Sequence, residues 1–133
     1  VWSATSFNML RKDGMEKERF NELNPTAKQK KTYVEECLPS SDTPVIAATD
    51  YMRAYPEQIR GFIKAPYYTL GTDGYGRSDS RQKLREFFEV DANNIARMAI
   101  YSLFRKGDIS KKEITSFYKK LKVDPSKPNP WEV

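Results

Sequence analysis

Histidine is absent from this 133-residue chain. Its absence removes Ser–His–Asp and Cys–His catalysis, and with them the side chain that most often serves as general base near neutral pH. Cysteine occurs once, at Cys37, so neither an internal disulfide nor a structural zinc site of several thiolates is open to the chain. With no imidazole to activate it, Cys37 reads as a packing residue and not as a nucleophile. A single thiol also fits a reducing, cytoplasmic setting. Long apolar runs are missing too: the central one is Val45-Ile46-Ala47-Ala48, far short of the roughly 18 residues that a membrane-spanning helix needs. The N-terminus lacks the basic, apolar, small-residue order of an export signal. It opens on Val1 in place of Met, which reads as a piece excised from a longer polypeptide.

What is present is the balance of a folded domain: 38% hydrophobic, 13% aromatic and 31% charged residues. That is too apolar for an intrinsically disordered chain, and the length suits one domain, residues 1–133. The net charge is +5, with basic and acidic groups mostly interleaved and a slight basic excess in residues 67–133. Such a surplus attracts polyanions.

Along the chain, Val1 to Thr5 has strand character. Ser6 is placed to cap a helix over Phe7 to Asp13 that Gly14 closes; Met15 to Leu23 continues as a charged, helix-favouring stretch until Asn24-Pro25 stops it. Ala27 to Lys31 is a polar connection. Thr43 to Thr49 is a short apolar segment between turn-formers, the mark of a buried parallel strand. Asp50 is placed to cap the next segment, in which Tyr51, Met52, Tyr55, Ile59, Phe62 and Ile63 recur at near-helical spacing. Pro56 sets the start of that helix, and Tyr67 to Leu70 forms the next strand. Strand, helix, strand implies a crossover unit in a parallel sheet, hence an α/β fold.

After the second strand comes Gly71, Thr72, Asp73, Gly74, Tyr75, Gly76, Arg77, Ser78 and Asp79. Asp79 with Gln82 is a candidate capping pair for a helix bearing Leu84, Phe87 and Phe88. Asp91 caps another, with apolar positions on two faces that predict a largely buried helix, and Gly107 ends it. Ser110 and Glu113 make a capping box ahead of Ile114, Phe117, Tyr118 and Leu121, opposite a face of Lys111, Lys112, Lys119, Lys120 and Lys122. Asp124 to Pro130 cannot continue a helix and leads as an extended tail to Trp131.

Candidate chemistry is sparse. The spacing G-x-x-G-x-G departs from the dinucleotide fingerprint, no G-K-[ST] comes after it, and Asp73 and Asp79 would repel a phosphate. The loop therefore reads as a tight turn or a docking element, with Arg77 positioned to pair with one of those aspartates. Glu35-Glu36 lacks any sign of the pKa separation that acid–base pairs require. The lysine face offers at most salt-dependent, sequence-independent contact with nucleic acid, and no RNP, zinc-finger or basic-zipper pattern accompanies it. A non-enzymatic module, binding nucleic acid or a protein, stands as the alternative to a part of an enzyme.

Three ordered segments go further: Ser41 to Met52 (SDTPVIAATDYM), Leu70 to Arg81 (LGTDGYGRSDSR) and Leu84 to Asp91 (LREFFEVD). Together with Val1 to Phe7 and Asn129-Pro130 they resemble the C-terminal domain of the homodimeric, bacterial-type pyruvate dehydrogenase decarboxylating first component, of the thiamine-diphosphate-dependent, transketolase-like superfamily. The resemblance covers essentially the whole chain, with Tyr75 where phenylalanine is common and Pro56 interrupting a helix. It implies a transketolase C-terminal fold, a mostly parallel sheet of about five strands with helices on both faces. It implies that the full-length enzyme uses thiamine diphosphate and Mg2+ to decarboxylate pyruvate and acetylates the lipoyl group of an acyltransferase partner. No catalytic, cofactor-binding or metal-binding residue of that family maps onto these 133 residues. The expected partners are the remaining domains, the second subunit of a homodimer and the lipoyl acyltransferase, without nucleic acid or membrane; the expected contribution is docking through Gly71 to Asp79.

Overall fold

Ser6 holds extended backbone and its hydroxyl accepts from the Met9 N–H at 3.2 Å, so the first helix, α1, starts at once and runs Phe7–Leu23. The computed structural model describes residues 1–38 and 42–133; Ser41, which opens the first family-like segment, lies outside them. Val1 to Thr5 forms no strand. Gly14 does not close the helix as expected. It lies inside α1, buried, where an added Cβ would overlap the Phe62 ring. A glycine inside a helix costs about 1 kcal/mol, and the close approach of α1 to Phe62 offsets it.

The second helix, α2, Tyr33–Cys37, begins with a reciprocal capping box between Thr32 and Glu35. Asp13 of α1 ties it down by accepting the Tyr33 N–H at 2.7 Å.

Strands β1, Val45–Ala48, and β2, Tyr67–Leu70, pair in parallel, Val45 opposite Tyr67 through Ala48 opposite Leu70. This is the crossover unit that the turn-bounded apolar segment and the β-favouring Tyr67 to Leu70 predicted. Alternate residues serve two cores. Val45, Ala47 and Tyr67 join Val34, Ile59 and Phe62 with Phe7 and Leu10 of α1. Ile46 and Leu70 join Phe88 and Val90 with Leu84 and Met98. Leu70, 1% exposed, is the most deeply set apolar side chain of the second cluster. Helices thus cover both faces, which is why the strands are apolar except at Thr69, whose hydroxyl donates to the Glu57 carboxylate. The expected sheet of about five strands is not found: the described residues contain two. Beyond Leu70 the sequence is written in helical period with capping residues and supplies no further β-favouring run.

The helix expected from Pro56 onward is also replaced, by a short α3, Ala54–Glu57, and a single 3-10 turn over Arg60–Phe62. Pro56 has no N–H to continue a ladder, and the Glu57 carboxylate folds the segment back by accepting from the Arg60 guanidinium and the Thr69 hydroxyl. Ile59 and Phe62 are buried, but Tyr51, Met52 and Tyr55 of the anticipated stripe are exposed.

Helices α4, Arg81–Phe87, α5, Ala92–Lys106, and α6, Lys111–Lys120, complete the order, before a 3-10 turn at Pro130–Glu132 in the tail. The Asp91 cap, the Gly107 stop at φ +93° and the Ser110–Glu113 capping box form as expected. The cap of α4 does not: Ser80 is the N-cap residue, and Asp79 Oδ1 instead accepts the Ser80 N–H at 2.6 Å. Nor is α5 largely buried. Ser102 is enclosed, whereas Ile95 and Leu103 are each 36% exposed.

Candidate functional site

The loop from β2 to α4 divides into two halves with different environments. Gly71 is buried because the backbone of the β1–α3 turn lies against it: an added Cβ would stand 2.6 Å from the Arg53 nitrogen and 2.8 Å from the Tyr51 oxygen. Thr72 secures the same turn, its N–H donating to the Tyr51 carbonyl at 2.9 Å and its hydroxyl to the Asp50 carbonyl at 2.9 Å. The Asp73 carboxylate accepts the Arg53 N–H at 3.3 Å and faces the buried Arg53 Nε at 3.4 Å, outside hydrogen-bond geometry. Arg53 in turn lies 5.4 Å from the Trp131 ring. Gly74, at φ +124°, sits against the Pro130 and Trp131 backbone. The tail is therefore folded onto this loop.

Tyr75 to Asp79 faces outward. Tyr75 is 82% exposed, and Gly76 has open space where a Cβ would be. Arg77 does not pair with Asp73 or Asp79; its guanidinium lies 4.1 Å from the centroid of the Phe87 ring. Asp73 is occupied by Arg53, which left the aromatic face of α4 as the better partner. Beside this half opens a cleft of about 450 Å³, walled by the loop and by Asp50, Arg81 and Arg85, with Leu84 and Phe88 also lining it.

Asp50 was expected to cap a helix. Instead its carboxylate accepts Arg85 Nε at 3.0 Å and Arg85 Nη2 at 2.7 Å, with Arg81 Nη2 at 3.5 Å. The Arg85 hydrogen bond, and then the charges of Arg85 and Arg81, hold the Asp50 carboxyl below its ordinary range, and the Asp50 hydrogen bond and charge in turn raise the Arg85 guanidinium. Sequence reading missed this cluster, since its partners stand 35 residues apart. The four-residue spacing of Arg77, Arg81 and Arg85 was the available signal.

Elsewhere Glu35 and Tyr67 have structural partners. Glu35 is held by the Thr32 N–H and by Lys64 at 3.0 Å, and the Thr32 hydrogen bond lowers its carboxyl. Burial pushes the Tyr67 phenol up, and its hydroxyl donates to the Pro56 carbonyl at 2.8 Å. Lys111, Lys112, Lys119, Lys120 and Lys122 are exposed and make no ion pair among the described residues. No three Cys, Asp or Glu side chains gather there as metal ligands would, and no helix is long and apolar enough to cross a membrane. Asp50 is closed by Arg85 and Asp79 is the only other carboxylate at the cleft, so the oxygen-rich setting that Mg2+ requires is not formed by these residues. A magnesium-bound diphosphate does not fit here.

Residues 1–91 match the family model of the transketolase-like TK C-terminal domain. The chain is 52% identical over 131 residues to the pyruvate dehydrogenase E1 component of Pseudomonas aeruginosa, covering 98% of this chain and 15% of that protein. It is 46% identical over 133 residues to that of Cupriavidus necator, covering 100% and 15%, and 42% identical over 131 residues to that of Escherichia coli K12, covering 98% and 14%. The chain spans about one-seventh of the length of these relatives.

Proposed function

Because the chain belongs to the transketolase-like C-terminal domain family, we propose that it is one closing domain of a pyruvate dehydrogenase E1 enzyme and serves there in assembly. The parent enzyme converts pyruvate and the oxidised lipoyl group of an acyltransferase into carbon dioxide and an S-acetyl-dihydrolipoyl group. It works as a cytoplasmic homodimer, and thiamine diphosphate with Mg2+, held by the other domains, supplies the carbanion chemistry. The observation that carries this reading is identity of 52% over 98% of the chain to a protein of that name. It is supported by a chain without histidine whose loop carboxylates Asp73 and Asp79 are engaged by Arg53 and by the Ser80 N–H. The residues present position a surface; they do not move a proton to or from a substrate.

Gly71 to Asp79 is the docking element of this proposal. Its first half is fixed to the β1–α3 turn and the tail, which leaves Tyr75 to Asp79 as the outward face. Arg77→Ala in the full-length enzyme is expected to weaken the dimer or lower acetyl transfer, read by sedimentation and by turnover of pyruvate. Unchanged values of both defeat the docking role. The isolated chain is expected to leave pyruvate untouched even with thiamine diphosphate and Mg2+ added. The lysine face of α6 favours a second reading, a polyanion-binding module, for which filter binding of DNA at physiological salt is the test; no retention is expected.

A further inference from the structure

The cleft beside the loop holds more cationic hydrogen-bonding capacity than its own carboxylates consume. Arg85 and Asp50 close on each other through two bonds of 3.0 and 2.7 Å, which satisfies that carboxylate in the planar, two-point manner guanidinium groups favour. Arg81 reaches the same Asp50 oxygen only at 3.5 Å, and its side chain is 77% exposed. Arg77 lies over Phe87 and makes no hydrogen bond or ion pair among the described residues. Asp79 is the remaining carboxylate at the cleft, with Oδ1 turned to the Ser80 N–H. Two guanidinium forks therefore face the cleft nearly unused, against one acid.

We propose that this cleft is the socket for a carboxylate side chain, aspartate or glutamate, carried by the remaining polypeptide of the parent chain. The inference rests on the docking reading and names its chemistry. Arginine forks select planar oxyanions, unlike the point charge of a lysine, and Arg77, preset against an aromatic ring, loses little freedom on pairing. A volume of about 450 Å³ takes an acidic side chain together with its flanking backbone. Tyr75 at the rim, 82% exposed, is the residue type enriched at protein interfaces. The relatives extend far beyond the 15% of their length that this chain spans, so an occupant is at hand. The lysine face of α6 has charge without concavity and lacks this selectivity.

Arginine-selective labelling of the full-length enzyme with phenylglyoxal, mapped by peptide mass spectrometry, tests the proposal. Arg105, exposed on α5, is the reference. Screening shortens from about 14 Å to about 4 Å between ~0.05 M and ~0.5 M salt. Arg77 and Arg81 are accordingly expected to label roughly fivefold or more slowly than Arg105 at low salt and to approach its rate at high salt. Arg81→Glu should release Arg77 to fast labelling at low salt, while Arg81→Lys should retain part of its protection. Protection that ignores salt and survives Arg81→Glu overturns the carboxylate and leaves the docking reading standing. Fast labelling of both arginines at low salt overturns the two together.

Discussion

A side chain at position 14 would have to displace the Phe62 ring, which belongs to the core shared by α1, α2 and Tyr67. Gly14→Ala is therefore expected to destabilise the protein by about 1–3 kcal/mol, the range for overpacking a core, although alanine is the better helix former. Urea midpoints measure it, and Phe62→Leu in the same chain should restore part of the loss; simple additivity of the two changes would contradict the contact. Glu57 stabilises the fold in a pH-dependent way. Hydrogen bonding from Arg60, and then from Thr69, holds its carboxyl below the ordinary value. A depressed carboxyl contributes stability that is complete above the unfolded value, about 4.3, and is lost as pH falls through the lower folded value. Glu57→Gln should thus lower the urea midpoint at pH 7 and converge on the parent protein in stronger acid. A gap that stays constant down to about pH 2 would mean that ionisation of Glu57 contributes nothing.

Among the elements, α6 owes its start to one local device. The Ser110 hydroxyl accepts the Glu113 N–H at 3.3 Å while the Glu113 carboxylate accepts the Ser110 N–H at 2.7 Å. Ser110→Ala should cost about 1 kcal/mol, visible as a lower midpoint and as faster amide exchange in the first turn of α6 alone. Such devices were legible because both partners lie within four residues: the Ser6, Asp91 and Ser110 caps and the Gly107 stop were read from spacing, and the two strands from short runs of β-favouring residues. What escaped was set by distant partners. Gly14 looks like a helix terminator until Phe62 is seen across from it, and Asp50 looks like a cap until Arg85 arrives from 35 residues away. The stripe from Tyr51 to Ile63 has helical period, yet Pro56 and the Glu57–Arg60 pairing break it into turns. The site was legible as a loop, from its glycines, and not as a cleft, because Arg81 and Arg85, which wall it with Asp50, lie on the following helix. The five-strand expectation came from likeness alone, and no residue pattern beyond Leu70 supported it.

At the scale of the molecule, the two cores are joined through very little sheet. Tyr67 feeds the cluster beneath α1 and α2, and Leu70, three residues on, feeds the cluster beneath α4 and Met98 of α5. Four paired positions of one parallel ladder connect them. Neither face of β2 can lose its cover without exposing apolar strand residues to water, at a cost of about 25 cal/mol for each Å². The two cores should consequently unfold as one unit even though they share none of these side chains. Phe62→Ala on one face and Phe88→Ala on the other are each expected to cost about 3–5 kcal/mol, a large part of the roughly 5–15 kcal/mol typical of a whole domain. In both variants the loss of helix seen by far-ultraviolet circular dichroism and the change in tryptophan fluorescence, to which Trp131 beside Arg53 contributes, should share one midpoint. Separate midpoints in either variant would show that the ladder is too short to transmit the loss of one core to the other, and that the outward face of the β2–α4 loop can stay ordered while the α1 side melts.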